Sequence, residues 1–193
     1  MELHTTTLPG VLIVEPAVFA DERGWFMESF NEARFDAAVQ ALDLPKPPRF
    51  VQDNHSRSTA GVLRGLHYQL PPHAQGKLVR VVQGAAFDVV VDINAGSPTF
   101  GQWLGIELSA ANQRQLWIPP GFAHGFLALG AETHFLYKTT DVYARHCERS
   151  IRYDDPAIGI AWPAVAGVPA LLVAPKDAAA PLLAQADVPP AAG

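Results

Sequence analysis

Apolar residues recur with helical spacing in one long segment of the chain. From Phe35 they return at Ala38, Val39 and Leu42, which places them on one face of a helix. Asn31 precedes this run at a position suited to capping a helix N-terminus. A cluster of prolines follows it and cannot continue the helix. The pattern therefore predicts one short helix near residues 31–42.

Elsewhere apolar residues alternate with polar ones or form short runs, which is typical of β-strands. Glycine, proline, asparagine or serine separates these segments, and no helices alternate with them. Such a series predicts an antiparallel sandwich or closed barrel, so we expect an all-β fold of the jelly-roll type. The candidate strands are residues 11–14, 50–54, 62–70, 78–82, 87–93, 103–108, 116–118, 126–129 and 133–139.

The C-terminal part of the chain is rich in alanine and proline from Ala164 onward. Residues 178–186 are expected to form a short helical segment, although Pro181 lies in the middle of it. The last five residues, 189–193, are expected to fray. The 193 residues contain no internal repeat and fit one domain, 1–193.

Composition argues against several classes of protein. The 19 acidic and 14 basic residues give a formal net charge of −5, which disfavours a general nucleic-acid or anionic-membrane binder. No stretch approaches the roughly 18 consecutive apolar residues of a membrane span, and residues 1–10 do not have the pattern of a signal peptide. The single cysteine, Cys147, cannot form an intramolecular disulfide, which fits a reducing cytoplasm.

Polar groups gather first around an aromatic pair near the N-terminus. Arg23 and Glu28 flank Trp25 and Phe26. One interpretation is a turn with a salt-bridged rim. The other is a site for a flat, hydrogen-bonding group, on which an aromatic ring stacks while Glu28 accepts a hydrogen bond.

A second group lies on the segments 52–56 and 61–69. In a regular strand, alternation places Arg64 and His67 on opposite faces. They can share a pocket only where the strand is irregular, and Gly65 is the position at which a bulge costs least. Convergence of the two side chains therefore depends on a bulge at Gly65.

Two further stretches contain Gly61 and His67, and Pro119, Gly121 and His124. At these spacings they resemble the two halves of the cupin motif, a small jelly-roll barrel that usually holds a metal ion. Gln69 stands where the second histidine of the first half would be, and Lys77 stands near the place of its carboxylate. A neutral amide and an ammonium cannot replace an imidazole and a carboxylate around a divalent cation. We therefore expect a metal-free interior organised around His67.

Tyr137 lies in the last candidate strand, where a tyrosine is usually a core residue with a satisfied hydroxyl. A metal-free pocket that holds a histidine, Lys77 and a tyrosine changes this interpretation. A histidine base, a cation beside a carbonyl oxygen and a tyrosine acid are the groups that proton transfer next to a ketone requires.

The chain contains distinctive blocks at residues 19–28, 52–56, 61–69, 97–101, 118–125, 137–138, 154–156 and 176–177. Together these blocks resemble the dTDP-4-dehydrorhamnose 3,5-epimerases of deoxysugar nucleotide synthesis. The resemblance runs through nearly the whole sequence and implies a cofactor-free enzyme. Its reaction removes the protons at C3 and C5 of dTDP-4-dehydro-6-deoxyglucose, both next to the C4 ketone, and replaces them on the opposite face.

The same resemblance assigns roles to five residues. His67 resembles the catalytic base of the family, and Asp177 resembles the carboxylate that orients this base. Lys77 stabilises the enolate oxygen at C4, Tyr137 reprotonates from the opposite side, and Tyr143 lines the sugar site. From the residues alone, Asp177 is better explained as an N-cap for the alanine-rich segment after it.

The nucleotide site is implied in the same way. Arginines and a histidine meet the diphosphate, where arginine can form bidentate hydrogen bonds, and other side chains meet the thymidine. In this family the N-terminal strands cross to the neighbouring subunit, so a homodimer with exchanged strands is expected. The residues implied for the nucleotide are Arg23, Phe26, Glu28, Gln52, Asn54, Arg64, His124, Glu148 and Lys176.

Three alternatives remain open at this point. An epimerase that acts at one carbon, or a 3,4-ketoisomerase acting on a related dTDP sugar, would keep a similar histidine base. A metal-dependent cupin would need stoichiometric bound metal, against which Gln69 and Lys77 argue. A non-catalytic module would bind a dTDP sugar without exchanging its protons with solvent.

Overall fold

A computed structural model describes residues 1–189, and strands dominate it. The predicted all-β jelly-roll fold is confirmed. The helices are α1 (Glu32–Gln40) and α2 (Pro175–Ala178), with a 3-10 turn at Leu183–Gln185. The strands are β1 (Glu2–Thr5), β2 (Leu12–Glu15), β3 (Val18–Asp21), β4 (Gly24–Met27), β5 (Gln52–Ser58), β6 (Val62–Gln69), β7 (Lys77–Gln83), β8 (Ala85–Asp92), β9 (Trp103–Ser109), β10 (Gln115–Ile118), β11 (Phe122–Ala128), β12 (Thr133–Thr139), β13 (Glu148–Ser150) and β14 (Leu172–Val173).

Two sheets face each other as the walls of a flattened barrel. The first has the strand order β1-β2-β10-β7-β12-β5, and the second has the order β13-β6-β11-β8-β9. Neighbouring strands on both paths are antiparallel, whereas β14 joins the edge of β6 in parallel. The pair β3–β4 forms a separate two-stranded hairpin.

Alternation along the strands divides the apolar residues between the barrel interior and its outer faces. On β7, Val79 and Val81 enter the interior with Phe135 of β12 and Val90 of β8, whereas Leu78 points outward. Helix α1 covers that outer face of the first sheet. Segments after β13 cover the outer face of the second sheet. These side chains fill one part of the barrel interior with an apolar core, and the remaining part can contain a pocket.

The predicted helix is confirmed, and its N-cap is the predicted one. The Asn31 side chain accepts a hydrogen bond from the Arg34 amide at 3.2 Å, which satisfies an otherwise unpaired helix N–H. Helix α1 ends at Gln40, before the prolines. Phe35 and Val39 are buried against Leu78 and Trp117, so the predicted apolar face is the one that packs.

The predicted C-terminal helical segment 178–186 is wrong as a single element. Helix α2 ends at Ala178, and a separate 3-10 turn begins only at Leu183. Pro181 lies between them and has no N–H to continue a helical ladder. The predicted fraying of 189–193 falls outside the described residues except for Pro189. Within residues 1–189, no helix has the length and apolar character needed to span a membrane.

Candidate active site

A pocket of about 360 Å³ occupies the part of the barrel interior that the apolar core does not fill. Strands of both sheets contribute to it, and the segment around α2 closes one side. Most of the predicted site residues meet there. They are Arg64, His67, Lys77, His124, Tyr137, Tyr143, Glu148, Lys176 and Asp177.

Arg64 and His67 reach the same pocket because β6 contains the irregularity expected at Gly65. His124 pairs with His67 and Phe126 pairs with Arg64, so β6 has one more residue than β11 between these partners. The additional residue restores both side chains to the inner face. The two strands also approach closely here, since a Cβ on Gly65 would lie 2.5 Å from the Cα of Gly125.

Gly65→Ala is expected to destabilise the fold strongly. Gly65 has φ +125°, and its missing Cβ makes room for the backbone of β11. Backbone strain and overpacking together should lower the free energy of unfolding by roughly 3–5 kcal/mol. Gly167→Ala is the matched control because Gly167 also has a positive φ, +74°, but faces open space. Its cost should be about 1–2 kcal/mol. Urea unfolding measures both, and equal costs would show that the close approach is unimportant.

His67 and Asp177 form a hydrogen-bonded pair across 110 positions of sequence. His67 Nε2 lies 2.7 Å from Asp177 Oδ1, and the Gly65 amide donates to Asp177 Oδ2 at 3.3 Å. Burial opposes ionisation of Asp177, but these hydrogen bonds and the charge of His67 outweigh it and lower the pKa of Asp177. The N-cap interpretation of Asp177 is wrong, because Ala174 holds that position and Asp177 lies inside α2.

Lys77 is almost fully enclosed at the base of the pocket, with 8% of its surface exposed. Its Nζ donates to the carbonyl oxygen of His67 at 3.2 Å, which fixes the ammonium beside the histidine. Burial lowers the pKa of Lys77 to about 8, although the charges of Asp88 and Glu148 oppose the shift. Lys77 is therefore a cation at neutral pH that loses its proton readily above it.

Asp88 is a buried carboxylate that the sequence interpretation did not include. Alternation on β8 turns it into the interior, where Oδ1 lies 2.8 Å from His124 Nε2. Its Oδ2 finds no hydrogen-bond partner among residues 1–189. Burial raises the pKa of Asp88 and lowers that of His124. The available signal was a lone charged residue inside the apolar run 86–91.

Asp88→Asn should lower the pKa of Lys77 below its value of about 8, because the Asp88 charge stabilises the ammonium. The change keeps the shape of the side chain. NMR titration of the Lys77 ε-methylene measures the shift. Asp92→Asn is the control, since Asp92 ends the same strand but bonds within its own loop. A Lys77 pKa equal in both variants would contradict this electrostatic link.

Two tyrosines line the pocket in different settings. Burial raises the pKa of Tyr137, so its hydroxyl keeps its proton across the neutral range. Tyr143 is 54% exposed at the mouth, where its hydroxyl donates to Glu148 at 3.0 Å. Lys176 reaches the other oxygen of Glu148 at 3.5 Å. Tyr137 thus presents a protonated hydroxyl in the partly buried region of the pocket. Tyr143, Glu148 and Lys176 form a polar rim.

Five predicted residues do not line this pocket. Gln52 and Asn54 are joined by a 3.0 Å hydrogen bond, and Gln52 also accepts from the Tyr143 amide, which places the pair next to the rim. Arg23 and Phe26 lie on the hairpin β3–β4, where Arg23 pairs with Asp21 and Phe26 is 69% exposed. The remaining residue is Glu28, which pairs with Arg34.

The side chains at the positions expected to bind a metal ion in a cupin barrel already form hydrogen bonds within the protein. The Gln69 side chain bonds to backbone groups, donating to His73 and Val142 and accepting from Ala144. Both pocket histidines already bond to carboxylates. Within residues 1–189, one cluster has three groups close enough to share a metal ion, and it lies on β1 and β2. Its members are Glu2, His4 and Glu15.

Comparison with known proteins agrees with this geometry. Residues 5–185 match the sequence profile of the family described as dTDP-4-dehydrorhamnose 3,5-epimerase. The dTDP-4-dehydrorhamnose 3,5-epimerase of Shigella flexneri is 59% identical over 84% of this chain and 87% of its own. That of Salmonella typhimurium is 55% identical over 94% of both chains.

A solved structure extends the similarity to three dimensions. The dTDP-6-deoxy-D-glucose-3,5-epimerase of Legionella pneumophila, crystallised with dTDP-4-keto-L-rhamnose, is 49% identical. It superposes with a TM-score of 0.90 over 100% of this chain and 99% of its own. The profile, the relatives and the pocket of His67, Lys77 and Tyr137 agree, and the chain belongs to the dTDP-4-dehydrorhamnose 3,5-epimerase family of isomerases.

Proposed function

We propose that the pocket epimerises C3 and C5 of dTDP-4-dehydro-6-deoxyglucose, giving dTDP-4-dehydro-L-rhamnose. Both carbons adjoin the C4 ketone, so removal of either proton leaves an enolate whose charge rests on one oxygen. The observation that carries the proposal is a histidine held by a carboxylate beside a buried ammonium, with a tyrosine in the same pocket. No cofactor is needed, because the ketone of the substrate accepts the electrons.

The His67–Asp177 bond decides which nitrogen is the base. An ionised carboxylate can only accept a hydrogen bond, so Nε2 of neutral His67 carries the proton and donates to Asp177. The lone pair therefore lies on Nδ1. When Nδ1 takes a proton from the sugar, the Asp177 carboxylate stabilises the imidazolium that forms.

Lys77 and Tyr137 supply the other half of the reaction. The enclosed ammonium of Lys77 stabilises the negative charge that develops on the C4 oxygen. The attraction between the two charges is stronger in a site shielded from water. Tyr137 lies on β12 of the first sheet, and His67 lies on β6 of the second. A sugar bound between the sheets thus has a base on one side and a proton donor on the other, which is the arrangement that inversion requires.

The diphosphate and nucleoside belong to the rim and its surroundings. Arg64 is exposed at the pocket, and within residues 1–189 its side chain bonds only to Ser58 and the Arg57 carbonyl, so its guanidinium can still meet a phosphate. His124 and Lys176 line the same space, and Gln52 and Asn54 lie next to it. We assign the thymidine to Gln52, Asn54 and the hairpin residues Phe26 and Glu28.

A homodimer with exchanged N-terminal strands would bring the hairpin to such a site. Phe19, Trp25 and Phe26 are each more than half exposed on β3–β4, and an exposed apolar patch of this kind often marks an interaction surface. Arg23 on the same hairpin does not reach this chain's own pocket. We propose that the hairpin completes the nucleotide site of a second copy. Cys147, buried and unpaired, fits a cytoplasmic location.

Mixing two inactive variants tests the exchange. Arg23→Ala should impair a site through the hairpin, and His67→Asn should impair it through the base. If the hairpin serves the partner, a mixed dimer has one intact site and recovers about half of wild-type activity. Co-expression with two affinity tags isolates this dimer for assay. If each hairpin serves its own chain, both sites of the mixed dimer remain defective and no activity returns.

Product stereochemistry tests the function itself. The protein is incubated with dTDP-4-dehydro-6-deoxyglucose, the ketone is reduced, and the sugars are analysed by NMR. Inversion at both C3 and C5 is the expected result. Inversion at one carbon would indicate a single-carbon epimerase, and movement of the carbonyl would indicate a ketoisomerase. Binding without conversion would leave only a sugar-nucleotide module, and activity lost with a chelator and restored by a metal would indicate a metal-dependent cupin.

A further inference from the structure

Asp155 is a buried carboxylate to which the proposed reaction assigns no role. It lies in the loop after β13 with 2% of its surface exposed. Among the described residues it forms no ion pair, and backbone amides hold its two oxygens instead. The Ala157 amide donates to Oδ1 at 2.8 Å, and the Leu183 amide donates to Oδ2 at 2.6 Å. Burial of such a charge is costly unless both oxygens are hydrogen-bonded.

The bond to Leu183 fastens a distant part of the chain to this loop. Leu183 begins the 3-10 turn, and its side chain packs with Ile151 and Ile158 on the outer face of the second sheet. A second bond runs from the Arg152 amide to the Pro181 carbonyl at 2.9 Å. Residues 181–183 are therefore attached to the loop by two hydrogen bonds and by apolar packing.

Residues 172–183, here called the C-terminal strap, are attached at both ends. At the first end, β14 pairs with β6 and the Leu172 amide donates to the Gly61 carbonyl at 2.8 Å. At the second end, Asp155 holds Leu183. Asp177 lies between these attachments, on the single turn of α2. A helix of one turn has little stability of its own, so tertiary contacts must set its position.

We propose that Asp155 is a positioning residue that holds the C-terminal strap so that Asp177 stays within hydrogen-bond distance of His67. This role rests on the proposed function of the His67–Asp177 pair. The Leu183 amide transmits the restraint, because it is the strap atom that the carboxylate binds. Without the hydrogen bond from the Leu183 amide to Asp155, the strap is held only by the β14 pairing, the Pro181 bond and apolar packing. Asp177 then gains freedom to move away from His67.

Asp155→Asn tests the role with little change of shape. An amide has one acceptor oxygen, so it can satisfy only one of the two N–H groups that the carboxylate now satisfies. The expected result is a fall of about tenfold in kcat, since small displacements of a catalytic group are costly. The ring N–H signal of His67 in ¹H–¹⁵N NMR, protected by its bond to Asp177, should weaken through faster exchange with water.

Two aspartates provide matched controls. Asp92 is as buried as Asp155, but its carboxylate accepts its hydrogen bonds from residues 94–99 and not from the strap. Asp154 is the neighbour of Asp155 in sequence and pairs with Arg152 at the surface. Asp92→Asn should destabilise the protein while leaving the His67 signal intact. Asp154→Asn should change neither the stability of the protein nor the His67 signal. This contrast separates a positioning effect from a general loss of stability.

Leu183 offers a second test from the other side of the bond. Leu183→Pro removes the N–H that Asp155 accepts, at the first position of a helical turn, where proline is tolerated. Leu183→Ala removes the packing but keeps the N–H. The proline variant should show the lower kcat and the weaker His67 signal. This pair decides the matter if Asp155→Asn does not fold.

Failure of the positioning role of Asp155 can be distinguished from failure of the proposed function. If the wild-type protein does not epimerise the sugar, the function fails, while the His67 signal still tests the positioning role. If the wild type is active and both Asp155→Asn and Leu183→Pro retain its kcat and His67 signal, the positioning role is overturned. If the two leucine variants behave alike, packing and not the hydrogen bond holds the strap, which also overturns it.

Discussion

Replacing His67 with asparagine is expected to lower kcat by about 10³- to 10⁴-fold, near the upper range for loss of a general base. Asparagine keeps a polar group near Asp177 but has no lone pair of suitable basicity where Nδ1 now lies. Exchange at both C3 and C5 should fall together, because one base serves both carbons. Mass spectrometry of the sugar nucleotide in deuterated water measures the loss.

His134→Asn is the control for this change. His134 lies on β12 and bonds to His55 and Glu132 on the outer side of the first sheet, so it has no access to the pocket. Its replacement should leave kcat within about twofold of wild type, as expected for a substitution outside the site. If His67→Asn retains exchange at one carbon, a different base serves that carbon.

Lys77 is expected to set the alkaline limit of activity. Its pKa of about 8 means that kcat/KM should fall about tenfold for each pH unit above that value, as the ammonium loses its proton. Tyr137 does not produce this limb, since burial raises its pKa and keeps it protonated there. Lys77→Ala should lower kcat by about 10²- to 10³-fold at neutral pH, the range found when an oxyanion partner is removed.

The alkaline loss of activity can be distinguished from unfolding, because the titration of Lys77 changes activity and stability in opposite directions. The pKa of Lys77 is lower in the folded protein than the value of about 10.4 for an unfolded chain. Between these values the unfolded state binds more protons, so this group makes the protein more stable as pH rises. Between pH 8 and about 10.4, the Lys77 contribution to stability should therefore rise while activity falls.

Lys77→Arg provides the matched comparison, because a guanidinium keeps its charge throughout this range. The alkaline limb should disappear in that variant, whatever its absolute rate. A limb that persists unchanged would assign the titration to another group. A wild-type profile that stays flat to pH 10 would show that the charge of Lys77 does not contribute to the reaction.

Sequence patterning predicted the elements that have a buried face and missed those that lack one. Strands such as β7 and β8 contain short, largely buried apolar runs, which stand out from the polar and turn-forming residues around them. The hairpin β3–β4 is exposed along both strands and carries no such contrast. The C-terminal segment was misjudged because its alanines favour a helix while Pro181 interrupts one.

The site was predictable where chemistry is concentrated in motifs and unpredictable where it depends on tertiary contacts. His67, Lys77 and Tyr137 could be grouped from residue type and resemblance. Their convergence with Arg64 required a bulge whose presence Gly65 only suggested. The partner of His67 lies 110 positions away on a one-turn helix, where local pattern favours a cap. Asp88 was overlooked because a lone carboxylate in the apolar run 86–91 does not by itself reveal its partner, and His124 lies 36 positions further along the chain.

Solvent exchange at the two carbons tests the central claim most directly. Wild-type protein is incubated with dTDP-4-dehydro-6-deoxyglucose in deuterated water, and the deuterium content of C3 and C5 is read by NMR. Deuterium at both carbons in the wild type, and at neither on the same timescale in His67→Asn, is the expected result. Conversion without deuterium at either carbon, or equal labelling by the two proteins, would contradict proton transfer by His67.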